Sequence, residues 1–218
     1  MTHPADVMTQ GRRDALALDE AWATFSRRDQ FHLPVSETTG EQAIYFCGNS
    51  LGLAPRAAAS IVEEEMASWA RLGVDGHFRD GSQWYDYHTL LRDPLARLVG
   101  AESDEVVAMN SLTVNLHLLL TSFYQPAGDR TVILIDAPTF PSDTYALETH
   151  LASRGLDPAT HLRVIVPEQG EETIRPEAII EEIESLGDRL AVAMIAGVNY
   201  YTGQVHDIEA ITTACHTV

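Results

Sequence analysis

Thr131-Val132-Ile133-Leu134-Ile135-Asp136-Ala137-Pro138-Thr139-Phe140-Pro141-Ser142-Asp143 is the stretch that decides the fold. Residues 131–135 (TVILI) are a continuous apolar run, the composition of a strand covered on both faces. A polar turn follows, and Pro141 opens a helix expected over 141–154. Outward from this stretch the same alternation recurs. A helix is expected at 113–124 before it. A strand at 163–166, a Glu-rich helix at 176–186, a strand at 190–195 and a helix from near His206 follow it. Strands alternating with helices in this way predict βαβ units, a parallel sheet and an α/β fold.

The N-terminal third reads differently. Residues 1–14 are polar and irregular and predict a mobile arm. Helical apolar spacing runs from Ala15 to Arg28 through Leu16, Leu18, Ala21, Trp22 and Phe25. Ile44-Tyr45-Phe46-Cys47 is a short strand-like run, broken by Gly48-Asn49. Pro55 introduces an amphipathic helix over 56–72, with Ala59, Val62, Met66, Trp69 and Ala70 on one side. A Gly-rich turn (Gly73, Gly76, Gly81) leads to a second helix at about 84–98. The expected division is therefore 1–72, an arm with helices, and 73–218, the α/β domain.

The chain has 218 residues, 45% apolar and 21% charged, as in soluble globular proteins. Its net charge of -18 argues against nucleic acid and against an anionic membrane surface. All 14 basic residues are Arg, so chemistry that needs a lysine amine cannot be completed within it. Two cysteines, Cys47 and Cys215, far apart, predict a reduced intracellular compartment. No apolar run is long enough to span a membrane, and the N-terminal residues lack the basic and apolar regions of a signal peptide, so none is expected. The helical pattern near the end carries no stop signal before Val218. A doubly wound domain continues into another strand at that point, so an incomplete domain is expected.

Ligands of open parallel sheets bind beyond the carboxyl ends of the strands. Three loops fall there. In Asn110-Ser111-Leu112-Thr113, Ser111 or Thr113 caps a helix whose free amides suit an anion; an ordinary cap reads the same way. In Asp136 to Asp143, Phe140 suits stacking on a planar cofactor and Ser142 or Asp143 a polar edge. Pro141, Ser142 and Asp143 equally suit a plain helix entry. In Ala196 to Gly203, two glycines and paired tyrosines suit either a close backbone approach or a turn. Gly48-Asn49-Ser50-Leu51-Gly52 is neither a Walker nor a dinucleotide motif. The nine histidines lack zinc-site spacing, so no metal is expected. The runs Glu63-Glu64-Glu65 and Glu181-Glu182 read as solvated helix faces.

Seven motifs in order carry a resemblance: YFCGNSLGL (45–53), a helix ending in Trp69-Ala70, G-x-x-G-H (73–77), MNSLTVNLHLLL (109–120), FPSDTYA (140–146), EETIR (171–175) and NYYTGQ (199–204). Together they closely resemble kynureninase, a pyridoxal-phosphate (PLP) enzyme of the aspartate-aminotransferase fold (fold type I). The match runs from about residue 15 to the end. The resemblance implies hydrolysis of L-kynurenine to anthranilate and L-alanine, in tryptophan catabolism and NAD biosynthesis, by a cytoplasmic homodimer. It implies that Leu112 and Thr113 hold the PLP phosphate and that Phe140 stacks on the pyridine ring. Pro141, Ser142 and Asp143 would sit beside the cofactor. Ala196 stands where the family can carry a hydroxyl, leaving its backbone or Asn199 to serve. Asn49, Ser50 and His77 would line the substrate pocket.

The family's Schiff-base lysine and the Asp facing the pyridinium nitrogen lie downstream of this sequence. The resemblance thus implies the N-terminal half of the enzyme, with 1–72 part of the small domain and 73–218 the PLP-binding large domain, inactive alone. Two alternatives stay open: another fold-type-I PLP lyase or desulfurase, and a noncatalytic acidic binding domain derived from this fold.

Overall fold

The computed structural model describes residues 4–79 and 84–218, in two compact units, Met1–Tyr87 and His88–Val218. Gly81 of the expected Gly-rich turn, and the first three residues of the expected arm, lie outside the described residues.

The first unit holds α1 (Pro4–Trp22) and α2 (Ala58–Leu72). The arm expected at 1–14 is instead helical from Pro4. Pro is favoured at a first helical position, and Ala, Met, Gln and Arg are good helix formers. Gln10 Nε2 donates to Asp14 Oδ1 at 2.7 Å and Arg13 Nη2 to Gln10 Oε1 at 2.6 Å, the i,i+4 and i,i+3 support of an exposed helix. The expected strand at 44–47 does not form: Ile44 and Phe46 are 87% and 89% exposed, and no neighbouring strand among the described residues takes up the backbone. An isolated apolar run gains nothing from extension without a partner. Beyond α2, a 3₁₀ turn (Gly73–Phe78) folds back onto the helix. Glu65 of α2 accepts from Arg79 Nη2 and from Trp84 Nε1, each at 2.7 Å. Arg79 Nη1 also donates to the buried Ser68 hydroxyl. Glu65 is thus a packing residue rather than part of a solvated face. These bonds lie within the first unit.

The second unit starts with α3 (Arg92–Val99), where the sequence predicts one longer helix; a 3₁₀ turn (Tyr87–Thr89) precedes it. Then come α4 (Leu112–Phe123), β1 (Val132–Asp136), α5 (Pro141–Ser153), the single turn α6 (Pro158–His161), β2 (Leu162–Ile165), α7 (Pro176–Leu186), β3 (Leu190–Met194) and α8 (Ile208–Cys215). The strands form a parallel sheet in the order β2-β1-β3. β1 is central and buried along its whole length.

Strand periodicity explains the two cores. Successive side chains point to opposite faces. Val132 and Leu134 pack with Ile179, Ile183 and Leu186 of α7 and Ile211 and Ala214 of α8. Ile133 and Ile135 pack on the other side with Leu120, Tyr124, Leu147 and Leu151, around α4 and α5. One strand therefore holds helices on both faces, and its polar end, Asp136, emerges between them.

Below the α4/α5 core, Tyr124 Oη donates to the Thr131 carbonyl at 2.6 Å, and Arg154 Nε donates to His150 Nε2 at 3.3 Å. Burial, then the Arg154 charge and His117, hold the His150 imidazole below its ordinary 6.5. The folded state therefore favours neutral His150, and the unfolded chain binds the extra proton. The stability this contributes is complete above about pH 6.5 and is lost as pH falls through the lower folded value. Urea denaturation between pH 7 and pH 5 should show a smaller loss of stability in His150→Gln than in the parent; equal slopes would contradict this. Leu134→Ala should cost about 2–5 kcal/mol, while Val164→Ala, on the exposed side of β2, should cost under about 1.5 kcal/mol.

Candidate active site

The carboxyl end of the sheet is organised by Asp136, which is 2% exposed. A buried carboxylate is costly unless hydrogen-bonded, and this one is. Its Oδ1 accepts from the Ala196 amide at 3.3 Å and its Oδ2 from Asn199 Nδ2 at 3.1 Å. His206 Nε2 faces Oδ2 at 3.5 Å. Asn199, also buried, passes the constraint on. Its Nδ2 donates as well to the Pro138 carbonyl at 3.2 Å, and its Oδ1 accepts from the amides of Tyr201 and Thr202 at 3.0 and 3.1 Å. Gly203, at φ 74°, closes that turn in a conformation only glycine adopts freely. The Gln204 side chain bonds both the amide and the carbonyl of Ile174, tying the loop to the segment before α7. The two loops that leave β1 and β3 are thereby locked together.

Three elements meet beside this lock. A groove of ≈ 510 Å³ is lined by Leu112, Asn115, Leu116 and Leu119 of α4, Asp143 of α5 and Met194 of β3. That volume lies within the roughly 300–1,000 Å³ of small-molecule sites. Ser111 occupies the N-cap position of α4, but its hydroxyl makes no capping bond, and Thr113 does not supply one either. The first i→i−4 bond runs from Asn115 N to Ser111 O at 2.9 Å. The amides of Leu112, Thr113 and Val114 therefore have no partner among the described residues, and with the helix dipole they suit an anion. The cap expected from the sequence is absent, which leaves the helix end more open than expected.

Phe140 is the N-cap residue of α5, and Pro141 fixes the first helical turn. The Phe140 ring is 51% exposed and meets Tyr200 edge-on at 5.1 Å between centroids. Ser142 Oγ donates to Asp143 Oδ1 at 3.3 Å. Ala196 is exposed, with its amide spent on Asp136. Asn199 is spent too, so the sequence suggestion that it serves a ligand is corrected: its amide group holds the loop. Against Phe140 this loop sets Tyr200, which residue patterns alone left open between a close backbone approach and a turn.

Asn49, Ser50 and His77 belong to the first unit. Asn49 and Ser50 lie in an exposed turn in which the Ser50 amide donates to the Cys47 carbonyl at 3.0 Å. The His77 ring packs edge-on against Trp84 at 5.5 Å. Gly76 beside it leaves no space for a side chain: an added Cβ would lie 2.5 Å from the Trp84 ring.

No protein-family model matches the chain. Curated sequences do. It is 44% identical over 207 residues to kynureninase of Christiangramia forsetii, 46% over 202 residues to that of Myxococcus xanthus and 49% over 193 residues to that of Xanthomonas campestris pv. campestris. The sequence kinship is with the kynureninases. These alignments cover 95%, 93% and 88% of the chain but 48%, 47% and 45% of the relatives, so the chain spans about half the length of the kynureninases it matches. Among solved structures, it shares its fold with two of the cystine C–S lyase C-DES, each at a TM-score of 0.56. One is a mutant with glycine covalently linked to the PLP cofactor, 18% identical, covering 77% of the chain and 41% of that protein. The other is a complex with cysteine persulfide, 17% identical, covering 80% and 46%. The α/β fold type I expected from the sequence is therefore present. No helix among the described residues is long and apolar enough to cross a membrane.

Asp136→Ala should free the Ala196 amide and the Tyr201 and Thr202 amides held through Asn199. Hydrogen exchange at these positions should accelerate about tenfold or more, the effect of losing one buried hydrogen bond; unchanged protection would show that the loop is held by other contacts.

Proposed function

We propose that this chain supplies the cofactor-binding half of a kynureninase, a PLP-dependent hydrolase that splits L-kynurenine, or its 3-hydroxy form, into the anthranilate and L-alanine. The observation that supports this best is the groove that Leu112, at the amide-bearing end of α4, shares with Asp143 of α5 and Met194 of β3, in a chain 44–49% identical to kynureninases. The residues present fit PLP. The amides of Leu112, Thr113 and Val114 hold the phosphate. Phe140 covers the ring face, with Pro141 fixing its approach. Ser142 and Asp143 provide a polar edge, and Ala196 leaves room at the end of β3. Asn49, Ser50 and His77 orient the substrate. When bound, PLP supplies the electron sink that lets a bond to an amino-acid carbon break.

The chain's own contribution is binding and orientation. Asp136 and Asn199 hold the loops after β1 and β3 together. Residues 73–218 form the large, PLP-binding domain, and residues 1–72 belong to the small one. The enzyme is a cytoplasmic homodimer acting in tryptophan catabolism and NAD biosynthesis. The anchoring lysine is not among these 218 residues, whose basic residues are all Arg. The chain alone therefore binds PLP reversibly and does not turn over.

Two measurements test this. The purified chain should release no anthranilate from kynurenine above free PLP; steady release would overturn the inactivity. Fluorescence titration should show saturable PLP binding, weaker by about tenfold or more for pyridoxal, which lacks the phosphate. Leu112→Pro removes one donor at a helix position that tolerates proline, after a residue already extended at ψ 162°. It should weaken PLP binding about threefold to tenfold with unchanged helicity; unaltered affinity would place the phosphate elsewhere.

A further inference from the structure

We infer that Tyr200 is a positioning residue that sets the orientation of the Phe140 ring, and through it the seating of the planar group the crevice takes. This rests on the cofactor assignment above and deepens it. Phe140 has a fixed backbone, at φ -61° and ψ 133° before Pro141, but its side chain stands half in solvent. A ring that rotates freely offers its face to a planar ligand only part of the time. Tyr200 supplies the missing wall. Its ring lies 5.1 Å from that of Phe140 at an interplanar angle of 73°, the edge-to-face arrangement aromatic pairs prefer. Tyr201 meets Tyr200 in turn at 6.2 Å and 64°.

The wall is itself held. Residue 200 sits inside the turn that Asn199 closes, through its bonds to the Tyr201 and Thr202 amides and its own amide's bond to the Gln204 carbonyl at 2.8 Å. Asn199 is anchored on Asp136 at the end of β1. Phe140 leaves the same strand end four residues later. The two rings are thus placed from one rigid point by two separate loops, which is how a preorganised site is built without burying the rings. The contact needs the ring of Tyr200 and not its hydroxyl, which makes no hydrogen bond among the described residues.

The experiment uses the 218-residue chain with Tyr200→Leu and Tyr200→Phe. Two quantities are read: the Phe140 ring-proton NMR shifts without ligand, and the dissociation constant for PLP. In Tyr200→Leu the Phe140 shifts should lose the ring-current contribution and the PLP constant should rise about threefold to tenfold. Tyr200→Phe should restore both. Thermal unfolding should stay unchanged in each variant, since Tyr200 is exposed. Unchanged Phe140 shifts in Tyr200→Leu would overturn the contact. Shifted rings with unaltered PLP affinity would overturn the positioning role. Failure of the parent chain to bind PLP, with the Phe140 shifts still responding to Tyr200→Leu, would overturn the cofactor assignment and the positioning role, while leaving the ring contact standing.

Discussion

The crevice depends on one buried carboxylate. Asp136 ends the central strand, where two helix-covered faces have excluded water and an unpaired charge would be costly. It can persist only by collecting donors. The donors within reach are the Ala196 amide and Asn199, both on the loop after β3, with His206 opposite. The electrostatic need of a single residue therefore fixes the distance between two loops that share no other regular structure. Asn199 extends the constraint to the turn that carries Tyr200.

Around that fixed point the site is electrically two-sided. The N-terminus of α4 brings three unpaired amides and the positive end of its dipole. Asp143, on the first turn of α5, brings a carboxylate to the same groove. An anion at one end and a protonated ring or amine at the other would satisfy both. A chain charge of -18 does not prevent an anion from binding there, because solvent screens distant charges within about 8–10 Å.

Much of the second unit was legible from the sequence. The TVILI run, the Pro-led helices at 141 and 176 and the apolar run at 190–195 lie within a residue or two of β1, α5, α7 and β3. Buried parallel strands announce themselves by composition, and proline marks helix entries. The first unit was less legible. Its α1 is exposed from Thr9 to Trp22, no apolar stripe marked residues 4–14, and the Ile44 to Cys47 run had the composition of a strand without a partner. The seven ordered motifs pointed to the crevice loops, but not to what holds them. Asp136 read as the first residue of a loop and Asn199 as a possible ligand contact. Their pairing spans 63 positions of sequence and has no periodic signature. Tyr200 was missed for the same reason, since its meaning lies in the ring it touches.

The most direct test of the central claim is an amide NMR titration of the chain with PLP. The account predicts that the N–H signals of Leu112, Thr113 and Val114 move together and saturate, and that inorganic phosphate reverses the shifts by competition. Signals that stay in place while PLP binds, or that move only outside the start of α4, would contradict it.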